Sequence, residues 1–214
     1  MSKHYLRKLN CSIIMGTLLI SNLLFAQTKP VFDAPSWKPP YQLPLEGWGI
    51  ERFLIPIDFA PKIPYTGVED LRFTNGWSDV KSPEYWSYAF LWIIDGNPTI
   101  NASVIGKNLT YYYDGLVARN IEKRNIPTKL VTKTIAAFQQ IKAQGQDQKT
   151  FAGTISMLDY MSQKPMVLYA LVHLRKCSGQ NKTILFHQIS PQQQNDNKVW
   201  LSLKSLWTEF KCSP

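Results

Sequence analysis

The chain lacks most of the signatures by which a sequence announces a reaction. No G-x-S-x-G, C-x-x-C, H-E-x-x-H or glycine-rich phosphate loop occurs in its 214 residues. That leaves no nucleophile elbow, no paired-cysteine redox or zinc site and no nucleotide cradle to build on. Histidine and cysteine are scarce, at three residues each, so any metal or thiol chemistry would rest on very few groups. No apolar run approaches the roughly eighteen residues a membrane-spanning helix requires. Dense basic tracts are missing too. Lys and Arg are scattered, and the tightest cluster, Arg119 to Arg124, includes Glu122, so nucleic acid is not the expected partner.

What is present begins with an export signal. Lys3, Arg7 and Lys8 precede the apolar stretch Ile13 to Phe25, which closes on Leu24-Phe25-Ala26-Gln27. This is the order of a cleavable signal peptide over residues 1–26, with the cut expected after Ala26. Residues 27–47 form a proline-rich lead-in, expected to run extended and outside the core. Residues 48–214 are expected to make a single domain. An apolar fraction of 44% with 13% aromatics argues against disorder, and removing three N-terminal cations leaves the chain basic. The expected localisation is periplasmic or secreted, with no membrane span once the signal is removed.

Periodicity predicts an α+β fold, mainly an antiparallel sheet with a mid-chain helix and a C-terminal helix packed on it. Glu51 to Ile57, Val68 to Phe73 and Tyr85 to Ile94 read as strands, the last with Trp86, Tyr88, Phe90, Trp92 and Ile94 on one face. A helix is predicted from Asn101 or Ser103 to about Ile121, and Thr128 to Gln140 favours strand. Phe151 to Tyr160, Met166 to Cys177 and Thr183 to Ile189 read as an antiparallel meander. Reflection about its turns places Phe151, Ile155, Met157, Leu168, Ala170, Val172 and Leu174 on one face with Ile184 and Phe186. Val199 to Lys211 reads as a closing helix with Trp200, Leu203, Trp207 and Phe210 in one stripe.

Cysteine use agrees with export. After cleavage only Cys177 and Cys212 remain, an even pair expected to form a disulfide. The last strand leads away from Cys177 by about 23 Å at ~3.3 Å per residue, and the final helix returns about 20 Å at ~1.5 Å per residue. Cys212 is thereby brought back beside Cys177, for a contribution of about 3 to 4 kcal/mol.

Two constellations invite a functional reading. The same register sets His173 opposite His187, but two imidazoles without a third ligand make an incomplete metal site, so no metal and no cofactor is expected. The other is a set of carboxylates among tryptophans. Glu51, Asp58, Glu69, Asp70, Asp79, Glu84 and Asp95 lie among Trp48, Trp77, Trp86 and Trp92. Carboxylates beside indoles suit a glycan-binding or glycan-cleaving cleft, through stacking and acid–base work. Trp48, Trp77, Asp79 and Glu84 are the candidate ligand-binding residues, and no catalytic residue can be assigned.

The runs Glu51-Arg52-Phe53, Ile63-Pro64-Tyr65-Thr66-Gly67-Val68-Glu69-Asp70-Leu71-Arg72-Phe73, Gly76-Trp77 and Tyr85-Trp86-Ser87-Tyr88 resemble a group of exported bacterial proteins of unknown function. The resemblance continues through Tyr112-Tyr113-Asp114-Gly115-Leu116 and Met157-Leu158-Asp159-Tyr160-Met161. It lends no catalytic residues. The order of elements is also similar in topology to PsbP/Mog1-like α/β/α sandwiches, which implies a fold and not an activity. The functional expectation is a non-catalytic binding or accessory protein of the envelope or secretome, with an unidentified ligand or envelope partner. A hydrolase acting on glycan or envelope material is the alternative.

Overall fold

A computed structural model describes residues 32–177, 179–195 and 197–213; the predicted signal peptide lies outside them. In chain order the strands are β1 (Tyr41–Gln42), β2 (Gly49–Ile55), β3 (Gly67–Phe73), β4 (Tyr88–Asp95), β5 (Ile135–Ile141), β6 (Lys149–Asp159), β7 (Lys164–Cys177), β8 (Lys182–Ser190) and β9 (Lys211–Cys212). The helices are α1 (Ala102–Ile121) and α2 (Lys198–Glu209). Seven strands form one sheet in the order β2-β3-β4-β8-β7-β6-β5, every neighbouring pair antiparallel. The fold is the expected α+β one, with a mainly antiparallel sheet.

The sheet is covered on both faces. In β4 the alternation sends Tyr88, Phe90, Trp92 and Ile94 into a core with α1, and Ala89, Leu91 and Ile93 into a second core with α2. A strand buried on both sides reads as a continuous apolar run, and Tyr88 to Ile94 does. α1 starts where Asn101 caps it by accepting from the Val104 amide (2.9 Å), and it buries Ile105, Leu109, Tyr112, Tyr113 and Val117. Gly115 lets the helix lie against the 56–66 loop, since a Cβ there would stand 1.8 Å from the Phe59 carbonyl oxygen. α2 is capped by Asn197, which accepts from the Trp200 amide (3.0 Å). Its Trp200, Leu203 and Trp207 are buried as the stripe predicts, each worth about 1.5 to 3 kcal/mol of transfer free energy.

Cys177 and Cys212 are disulfide-bonded. The helix stops at Glu209, short of the expected Lys211, because Lys211 and Cys212 leave it to pair as β9 with Gln42 and Tyr41 of β1. The lead-in is thus partly core: Tyr41 and Leu43 are buried under α2, and the Tyr41 hydroxyl donates to Asp70, which also pairs with Arg72 and Arg52. A tyrosine and a leucine among five prolines were enough apolar surface to dock the segment.

Two other expectations are corrected. β4 begins at Tyr88 rather than Tyr85, because Trp86 adopts φ 54°, a left-handed conformation that interrupts a strand. The β7–β8 register is one residue off the predicted reflection. Cys177 pairs with Lys182 across a four-residue loop, so Val172 opposes His187, and His173 opposes Phe186. A one-residue slip exchanges the faces. Ile184 and Phe186 therefore belong to the α2 core, while Leu185 and Ile189 join Leu168, Ala170, Val172 and Leu174 on the α1 side. His173 and His187 lie on opposite faces and share nothing. The predicted 128–140 strand holds for Ile135–Ile141, preceded by a short 3₁₀ turn at Thr128–Leu130.

Candidate functional site

The four candidate binding residues do not converge. Trp48 is half-buried against the α2-face core, and Trp77 is half-buried on the α1 face, its ring 4.6 Å from Phe73 and 6.4 Å from Trp86. The sheet separates them. Asp79 and Glu84 fold the loop that carries Trp77: Asp79 accepts from the Lys81 amide (2.9 Å) and Glu84 Oε2 from the Gly76 amide (2.8 Å). Such local bonds are the ordinary work of acidic residues in turns. Asp58 pairs with Arg119 at 3.1 Å, and Asp95 pairs with Lys182, which holds its carboxyl below the usual range.

Trp77 nevertheless marks a cleft of about 320 Å³ between the β2–β3–β4 end of the sheet and the second half of α1. Phe73, Trp86, Tyr88 and Tyr112 line it, along with Phe53, Phe59 and Tyr160. Arg119, Lys123 and Arg124 stand on its α1 side and Glu51 on its β2 side. The guanidiniums are held near rings, Arg119 5.5 Å from the Phe59 centroid and Arg124 5.1 Å from that of Tyr160. Cations over aromatic faces keep their orientation at modest cost. The lining contains no histidine, cysteine, serine or threonine.

The aromatic wall is fixed by Asp159. Its carboxylate accepts from the Trp86 indole (2.9 Å), the Tyr85 hydroxyl (2.6 Å), the Met161 amide (2.8 Å) and Ser162. Burial pushes its pKa up, but the bonds from Ser162, Tyr85 and Trp86 outweigh that and hold it below the usual range. These bonds, with Trp86 N donating to the Trp77 carbonyl (2.8 Å), hold the left-handed Trp86 in place. Strain of this kind in a bulky residue at a cleft is a pointer to function. The sequence carried a partial signal for it, since D-x-x-S at Asp159 to Ser162 is a turn motif.

Under the cleft, Tyr112 turns its hydroxyl inward to Glu69 Oε1 (2.8 Å). Glu69 is fully buried, and burial pushes its pKa up to about 8, which favours its neutral form. Trp92, its register partner on β4, turns its indole toward Glu69 as a weaker donor than Tyr112. The arrangement gives a stacking surface with a positive border. No protein-family model, curated protein or solved structure matches this chain.

Proposed function

We propose that this is a non-catalytic binding protein that works outside the cytoplasm, periplasmic or secreted, and whose cleft takes a ring-shaped, acid-bearing ligand such as an acidic sugar of envelope material. The observation that carries this reading is the pairing of aromatic faces, Trp77, Phe53 and Tyr160, with the cations Arg119, Lys123 and Arg124 in one cleft. A sugar ring stacks its C–H face on an aromatic ring, and its carboxylate pairs with a guanidinium. The volume falls at the lower end of small-ligand sites, roughly 300 to 1,000 Å³. Export is supported by the signal-like N-terminus and by the Cys177–Cys212 bond, which persists in oxidising compartments.

Hydrolysis of the same material would need a second carboxylate facing Glu51 across the ligand. Glu69 is turned inward to Tyr112, and Asp79 and Glu84 are engaged in their loop, so binding is favoured. Titration of the protein with uronic-acid oligosaccharides and their neutral counterparts, followed by tryptophan fluorescence, tests the proposal. Acidic oligomers should bind at least tenfold more tightly than neutral ones, and Trp77→Ala or Arg119→Ala should each weaken binding about tenfold with the circular dichroism unchanged. Equal binding of acidic and neutral oligomers would overturn it, as would sugar release that disappears in Glu51→Gln.

A further inference from the structure

On the other face of the sheet, a polar basin of about 450 Å³ opens between α2 and the loop joining β5 to β6. At its base the Asp147 side chain has no exposed surface and accepts four hydrogen bonds: from His173 Nδ1 (2.6 Å), Arg175 Nε (2.9 Å), Trp207 Nε1 (2.8 Å) and Thr150 Oγ1 (2.7 Å). Burial works against the charge, but His173, Thr150 and Trp207 outweigh it and hold the carboxyl below its usual range. A carboxylate so fully engaged contributes by placing its donors. His173 is pinned on its other side by Gln188 Oε1 (3.2 Å), whose own amide nitrogen donates to the Leu203 carbonyl (2.7 Å), and so belongs to the frame.

Arg175 is the residue this frame presents. Its Nε is spent on Asp147, and its guanidinium carbon lies 3.8 Å from the Trp207 ring centroid, so the plane of the fork is clamped. The terminal nitrogens make no hydrogen bond among the described residues, and Arg175 lines both the basin and the groove beside it. Lys204 and Lys211 border the basin, and Lys176 and Lys211 the groove, while among the described residues no aspartate or glutamate lines either. A planar fork fixed in advance takes two oxygens of an oxyanion with little ordering cost. Arg175, Lys176 and Lys211 against one buried carboxylate favour a doubly charged anion over a single carboxylate.

We propose that this basin is an oxyanion site that takes a phosphate group, free or carried by a small ester, on the Arg175 fork with Lys204 and Lys211 beside it. The site is independent of the aromatic cleft.

The test follows the indole N–H of Trp207, which donates to Asp147, and that of Trp77 by ¹H–¹⁵N spectra of the whole protein. Inorganic phosphate and glucose 1-phosphate are titrated separately, with sodium chloride at matched ionic strength. Phosphate should produce saturable shifts at Trp207, with a Kd of about 1 mM, and none at Trp77. Tighter binding of the ester indicates a phosphate carried by a larger ligand, and equal binding indicates phosphate itself. Arg175→Lys keeps the charge but removes the fork, and should weaken phosphate at least tenfold. Should that variant fail to fold, Lys211→Gln, exposed and outside the Asp147 network, should weaken it about threefold. The proposal is overturned if phosphate shifts match those of chloride, or if the deciding variant binds phosphate as the parent does.

Discussion

At the centre of the α1 face the buried Glu69–Tyr112 pair is neutral and has few donors, whereas the Asp147 node of the α2 face is charged and has four. On the α1 side His187 Nε2 has no hydrogen-bond partner among the described residues, and Glu69 takes its one close bond from Tyr112. On the α2 side Asp147 accepts from four donors, and Asp70 from Tyr41 and Arg72 with Arg52 beside it. Burial penalises a charge heavily unless donors replace the lost water. Where donors are supplied the carboxylate stays ionised, as Asp147 does. Where a single tyrosine is supplied the proton stays on, as in Glu69. The two faces therefore answer differently to mutation and to pH.

The sharpest way to break this contrast is to remove the α2-face acceptor. Asp147→Ala orphans His173, Arg175 and Trp207 together and should cost about 3 to 5 kcal/mol in urea melts; a loss under ~1 kcal/mol would show that the network is ornamental. Next is the covalent clasp, where Cys177→Ala with Cys212→Ala opens a loop with a sequence separation of 35 residues. It should cost about 3 to 4 kcal/mol, read against the oxidised parent by thermal unfolding.

Titration sharpens the α1 side. Glu69 sits at about 8 in the fold against an ordinary 4.5, so between those values the folded state binds the extra proton. Stability then falls as pH rises through that window, by on the order of 5 kcal/mol. His187 is pulled down to about 3 by burial from an ordinary 6.5, so stability falls as pH drops from 6.5 toward 3. Between pH 4.5 and 6.5 the two slopes oppose, leaving a plateau with decline on either side. Glu69→Gln should abolish the alkaline limb and leave the acid one. Chemical melts at pH 5.5 and 8.5 decide it, and a limb that survives in the variant refutes the assignment. The smallest effect belongs to Asp79→Ala, which removes one exposed turn bond and should change stability by less than about 0.5 kcal/mol.

Strand alternation, both helices, the first with its cap at Asn101 or Ser103, and the disulfide were legible, because each depends on local spacing or on a count; the Asn197 cap of α2 was not read. The β7–β8 register was not. A turn centred at Gln180 predicts the histidine pairing, but the loop runs over 178–181, with Gly179 (φ 81°) and Asn181 (φ 46°) both left-handed. Half a residue in the turn centre moves every side chain to the other face. The Asp147 node was invisible for another reason, since its four donors come from positions 150, 173, 175 and 207 and no local pattern joins them. Trp77 borders a cleft, but the tryptophan and carboxylate rule that named it also named Trp48, which the sheet places on the other face. The pattern carries residue type without direction.

β1 and β9 are only two residues long, and Cys212 is both the partner of Tyr41 in that ladder and one half of the disulfide. A two-residue ladder is marginal when nothing holds it in place. Without the sulfur bond, the end of the chain after α2 is held by that ladder, by Gln180 and by packing alone, and the seat of Tyr41 and Leu43 is held less firmly. The disulfide therefore sets how firmly this corner is closed, and with both cysteines reduced the fold is looser there than anywhere the seven-stranded sheet holds it.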